Sequence, residues 1–236
     1  MVANAGYLTW ATIWNTLQNG ELDLNDDNLM DEAEAREIAN QATREAEALI
    51  HTIYEDYFLT LASPNLSLVQ GADEIALPTG SYAMKVRGII YTNGSIIYEM
   101  VRIREWVKFL AFRLLRISPN SATRYRYFII NTTVGSPKIK ISPPAQESGA
   151  YLETWFLRRA GEMTTGTDIC DIPEFVQFIY DSVRVKLYEK EGNPMLEKAV
   201  ADKAATRQLM IDTLTEMIPD HDNKIEADMS YYMEHT

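Results

Sequence analysis

The sequence predicts an α+β protein: an antiparallel helical bundle built from both ends of the chain, with a small antiparallel β domain inserted between them. Three observations lead there. Apolar residues recur at helical spacing before residue 62 and after residue 171, whereas the middle alternates or runs β-branched and aromatic. Gly and Pro punctuate the middle and are sparse in the flanking segments. Charge divides the same way. Residues 1–62 carry two basic against twelve acidic residues, a net of −10. Residues 63–170 carry thirteen against eight, a net of +5, and residues 171–236 carry seven against fourteen, a net of −7. The expected domains are therefore 1–62 with 171–236 as the bundle, including a C-terminal arm over about 220–236, and 63–170 as the insertion.

Thr9 is placed to cap a first helix whose stripe is Trp10, Ile13, Trp14 and Leu17, with Gly20 to end it. Asn28 and Asp31 resemble the start of a second helix. Its inward positions are Ala35, Ile38, Ala39, Ala42, Ala46, Leu49, Ile50, Ile53 and Tyr57, a run of about eight turns. The alanines imply close approach of another helix, and Ser63-Pro64-Asn65 is the expected stop.

In the middle, residues 66–69 and 75–78 suggest a short strand pair around Gly71. Asn93-Gly94 between 86–91 and 95–100 is the strongest hairpin signal in the chain, because both residues accept positive φ. A short helix over 105–115 would bury Trp106, Phe109, Leu110 and Phe112. Strands are expected at 124–130, 138–141 and 151–158.

Asp171-Ile172-Pro173-Glu174 has the spacing of a capping arrangement and should open a helix with Phe175, Val176, Ile179, Val183 and Leu187 inward. Gly192-Asn193-Pro194 breaks it. A last helix follows, with Leu196, Ala199, Val200, Met210, Ile211, Leu214 and Met217 inward, and Pro219 stops it.

With 46% hydrophobic and 24% charged residues in 236, the chain can bury a core. No apolar run approaches the roughly 20 residues of a membrane span, and the N-terminus has no secretory pattern. Cys170 alone supports neither a disulfide framework nor a metal site. Nucleotide-binding, serine-hydrolase and zinc-protease motifs are missing, so no catalytic residue and no cofactor is assigned. His51, His221 and His235 are expected on a helix face and in a terminal segment.

Two patterns still carry chemistry. Asp23, Asn25, Asp27, Asp31 and Glu34 fall at calcium-loop positions 1, 3, 5, 9 and 12, but Asn28 stands where that loop needs glycine. Acids at a helix N-terminus need no metal, so capping is the preferred explanation. Arg102, Arg104, Lys108, Arg113, Arg116, Arg124 and Arg126 are interleaved with Trp106, Tyr125 and Tyr127. Such a mix grips DNA phosphates, or meets an acidic neighbouring subunit. Net −12 favours the neighbour.

The order of elements is similar to that of tailed-bacteriophage head-to-tail adaptor and connector proteins, the tail-tubular-A-like and head-completion group. The likeness lies in the acidic turn Asp26-Asp27-Asn28-Leu29 leading into a long alanine-bearing helix, and in Gly71 to Pro78 followed by Lys85-Val86-Arg87-Gly88-Ile89. It continues through Ile141-Ser142-Pro143-Pro144, Tyr151 to Phe156, Ile172-Pro173 and Lys190 to Pro194, and covers most of residues 8–215. It implies a non-enzymatic virion protein, assembled in the host cytoplasm. It also implies a ring, commonly of about twelve copies, that joins portal to tail, extends the DNA channel and touches the genome in passage. The C-terminal arm would then offer Ile225, Met229, Tyr231, Tyr232 and Met233 to the portal, unless it is only a disordered acidic tail. Glu32, Glu34, Glu37, Glu45 and Glu47 would face the lumen and let DNA slide, or simply keep the subunit soluble. The competing functions are a nucleic-acid-binding protein acting through the basic middle, and a scaffold adaptor with no viral role.

Overall fold

A computed structural model describes residues 8–19, 30–93, 97–114, 125–131 and 137–218. It is mixed helix and strand, an α+β protein, and divides into two compact units: residues 1–54 with 161–236, and residues 55–160.

The first unit is helical. Helix α1 (Trp10–Asn19) buries Trp10, Ile13 and Leu17, at helical spacing. Its first turn docks on the segment ahead of residue 170. The Trp10 and Ala11 amides donate to the carbonyls of Asp168 and Gly166, and the Cys170 amide donates to Leu8. Helix α2 (Glu32–Ile53) starts at Asp31, whose Oδ1 accepts from the Glu34 amide at 2.7 Å. Its buried stripe is Ala35, Ala39, Ala42, Ala46 and Ile50. Methyl-sized side chains let α4 (Val176–Glu191) and α5 (Leu196–Met217) pack closely against it.

Helix α4 is preceded by a 3₁₀ turn (Pro173–Phe175) that has no side-chain cap. The expected cap, Asp171, instead accepts from the Gly161 amide at 2.5 Å and closes the loop before it. Gly192, at φ 63°, ends α4 in the left-handed conformation a glycine adopts without penalty. Ala199, Met210 and Leu214 are the buried residues of α5. Val200 and Met217, expected inward, are exposed.

The second unit opens with a 3₁₀ turn (Glu55–Phe58) and strand β1 (Leu59–Leu61). The long helix therefore ends ten residues before Ser63, because Leu59, Thr60 and Leu61 pair antiparallel with Leu157, Phe156 and Trp155. Strands β2 (Leu66–Ser67) and β3 (Glu74–Ala76) do not pair with each other as expected. β2 joins β9 (Tyr151–Arg158), and β3 joins β8 (Pro137–Ser142).

Strand β4 (Ser81–Thr92) lies between β9 and β5 (Ile97–Glu99), and the Tyr91–Tyr98 pair sets the hairpin expected at Asn93. A five-stranded sheet results, with order β1-β9-β4-β5 and β2 alongside β9. The second sheet has order β3-β8-β7-β6, with β7 at Arg126–Asn131 and β6 at Val101–Arg102. It is not wholly antiparallel: β6 runs parallel to β7, since helix α3 (Trp106–Leu114) carries the chain back between them. Ile89, Tyr91, Leu152 and Phe156 from one sheet and Tyr125, Tyr127, Ile139 and Ile141 from the other form the core. Tyr91 and Tyr125 stack at 4.1 Å there.

Candidate interaction surface

Among the described residues, six basic side chains of the second unit pair with its own acids. Lys85 and Arg87 both hold Glu55, at 2.7 and 2.5 Å, and Arg87 also holds Asp56 at 2.6 Å. The hydrogen bond from Lys85 keeps the Glu55 carboxyl below the usual glutamate range despite its partial desolvation, with Arg87 adding to the effect. Lys138 and Lys140 clamp Glu74 in the same manner, and their hydrogen bonds lower its pKa.

Among the seven basic residues singled out in the sequence, Arg113 pairs with Asp73 at 2.5 Å and Lys108 with Glu105 at 2.6 Å. Arg126 lies over the Phe112 ring at 3.8 Å. Arg102 reaches the Val86 carbonyl at 3.5 Å, and Arg104 is exposed. Arg116 and Arg124 lie outside the described residues. Two of the seven, Lys108 and Arg113, are thus neutralised by acids of the same unit.

The acids of α2 are occupied likewise. Glu32 accepts from the Trp10 indole at 2.9 Å, Glu34 pairs with Lys190 at 2.6 Å, and Glu45 with Lys203 at 3.1 Å. Glu37 meets Arg44, which also holds Glu162 at 2.8 Å, and Glu47 is buried. Glu47 is the buried one of the five; the other four bond within the helical unit while their side chains stay at least partly exposed. Asp31 and Glu34 of the calcium-like pattern are thus a helix cap and an ion-pair partner, while Asp23, Asn25 and Asp27 lie outside the described residues. His51 lies on α2, as expected, and on its buried side, with Nε2 3.9 Å from Glu47. His221, His235 and the whole arm, Ile225, Met229, Tyr231, Tyr232 and Met233 included, lie outside the described residues. Burial lifts the Cys170 thiol to about 11, which keeps it protonated near neutral pH.

Sequence reasoning missed three polar devices. Asn40 accepts from the Met163 amide at 2.9 Å and donates to its carbonyl at 3.0 Å, so one buried amide fastens residues 123 positions apart. A polar residue amid the inward alanines was the available signal. Buried Asp181 accepts from Thr206 at 2.6 Å and Gln177 at 3.1 Å, with Arg184 at 3.3 Å, and ties α4 to α5. Asp168 collects the Thr164 and Thr165 amides and the Thr164 hydroxyl, which hold its carboxyl well below the usual range. An open groove of about 530 Å³ beside β3 is lined by Leu77, Pro78, Gly80, Ala83 and Met84, and Arg159 is the one ionisable side chain among its described walls.

The family model of the SU10 adaptor protein matches residues 10–230, nearly the whole chain. The chain belongs to that family. Among curated proteins it has no match. The SU10 adaptor family is a phage head–tail adaptor family, so the protein is a structural adaptor of a bacteriophage virion, and assembly with other virion proteins follows from that role. Among the described residues no helix is long and apolar enough to cross a membrane. Divided along the two compact units, the adaptor's charge splits as the sequence division into helical ends and β middle already suggested. The helical unit carries nine basic and twenty-six acidic residues, a net of −17, and the β unit thirteen and eight, a net of +5.

Proposed function

We propose that this adaptor forms a closed ring, of about twelve copies, seated between portal and tail with the DNA path through its centre. Subunits would be made in the host cytoplasm and join the filled head. In this reading the two ends of the chain form one helical bundle, and residues 55–160 are the inserted domain that meets a neighbour or the tail. The packing of α2 against α4 and α5, which lie far from it in sequence, supports the bundle.

The observation that carries the ring is the charge split in a family of head–tail adaptors, −17 in one unit and +5 in the other. Copies related by rotation present unlike surfaces to each other, and a heterologous contact of that kind closes into a ring when the rotation divides a full turn. Complementary charge steers the encounter and fixes its register. The basic residues act mainly within and between subunits, and the genome passes with transient contact.

The C-terminal arm, residues 220–236, is assigned to the portal, with Ile225, Met229, Tyr231, Tyr232 and Met233 as its anchors. Co-sedimentation with purified portal tests this. The full chain should pellet with the portal, and a chain ending at residue 219 should stay in the supernatant with an unchanged circular dichroism spectrum. Equal binding by both chains would remove the arm from the interface. A full chain that ignores the portal but retains duplex DNA on a filter at moderate salt would return the nucleic-acid reading to first place.

A further inference from the structure

We infer that the ring contact is made by α3 of one copy against the C-terminal half of α5 of the next. The inference rests on the ring reading and names the surfaces that would build it.

Among the described residues, α3 and the second half of α5 each set exposed apolar side chains beside charged ones. On α3, Phe109 and Phe112 are buried, and Trp106, Phe109 and Phe128 form a ring cluster with centroids 5.2 to 5.8 Å apart. The opposite side of the helix carries Val107, Ala111 and Leu114 at i, i+4 and i+7. Val107 is 76% exposed and Leu114 79%, which is extreme for aliphatic side chains on a helix anchored by aromatics. Arg104 precedes this stripe and Lys108 flanks it. Among the described residues Lys108 pairs with the exposed, local Glu105, and such a surface pair exchanges at little cost.

The second half of α5 has the complementary character. Met210 and Leu214 point inward, while Leu209 is 65% and Met217 38% exposed. Asp212 and Glu216 lie beside Leu209 at i+3 and i+7, and residues 209–217 contain no Lys or Arg. Asp212 accepts only a neutral hydrogen bond, from Gln208 at 2.8 Å, among the described residues. An apolar stripe with cations on one side thus matches an apolar stripe with anions on the other. Because the two stripes differ, the contact is heterologous and propagates from copy to copy.

A single pair of short helices buries far less than the roughly 1,600 Å² of a stable interface. The contact is therefore weak between free subunits and becomes strong only when the portal gathers them and the ring closes.

The test is chemical crosslinking of the full chain bound to portal. Val107→Cys and Leu209→Cys are combined in one variant; the native Cys170 is buried and stays unreactive. A short bifunctional maleimide should give a ladder of dimer, trimer and higher species, which neither single variant produces. Variants that pellet with the portal yet give no ladder overturn this interface and leave the ring reading standing. A chain that fails to pellet with the portal at all overturns the ring reading, and this contact falls with it. Arg104→Glu should weaken the ladder at least about tenfold, and the added Glu216→Arg should restore it, a reciprocity that mere proximity would not give.

Discussion

The Asn40 side chain on α2 receives the Met163 amide and returns a hydrogen bond to the Met163 carbonyl. An alanine there would leave both backbone groups buried without partners, at about 1–3 kcal/mol each. Asn40→Ala should therefore lower the unfolding free energy by about 2–6 kcal/mol in urea titration. A change below about 0.5 kcal/mol, the size of an ordinary surface substitution, would show that the clamp is idle.

Asp168 acts through charge. Its carboxyl is held below the usual range by the backbone amide and side-chain hydrogen bonds of Thr165 and Thr164. A lowered pKa in the folded state gives stability that is fully present above the ordinary aspartate value, about 3.9. It is lost as pH falls below that value towards the lowered one. Asp168→Asn should melt earlier than the native protein at pH 7, with the gap shrinking at pH 3. An equal gap at both pH values would mean that the carboxylate charge plays no part.

Helix α4 stops because Gly192 takes φ 63°, and the amides of Gly192 and Asn193 both reach back to the Tyr188 carbonyl. Gly192→Ala should cost about 1 kcal/mol, the usual penalty of a left-handed alanine, and Gly192→Asn less, read from the same urea midpoints. Equal midpoints for all three proteins would deny the cap its role. That stop was legible in the sequence, as were the alanine stripe of α2 and the β4–β5 hairpin at Asn93, because each is governed by residues close along the chain. What escaped depends on distant partners. Ile53 and Tyr57 prolong the helical spacing, and only pairing with β9 turns Leu59–Leu61 into a strand. β2 and β3 are adjacent in sequence, yet each finds its partner some 65 to 85 residues on, in β8 or β9. Val200 and Met217 fit an inward spacing but face out, since α5 touches its neighbours along a narrow stripe. The surface was harder to foresee than the core. The seven basic residues and the acids of α2 are visible in sequence, but the partner that each one meets within its own unit is decided by the fold.

At the scale of the molecule, the proposed ring of −17 helical units and +5 β units should assemble in a way that depends on ionic strength. Raising salt from 0.1 to 1 M shortens the screening length from about 10 to about 3 Å. Portal-directed assembly should weaken steeply over that range by light scattering, whereas unfolding midpoints should shift little. Assembly that strengthens with salt would point to an apolar interface without charge steering. The most direct measurement is electron microscopy of the full chain incubated with purified portal at low salt. Class averages should show an added closed ring of density coaxial with the portal and open along its axis. Unmodified portals beside free monomers, or scattered binding around the portal rim, would contradict the adaptor ring.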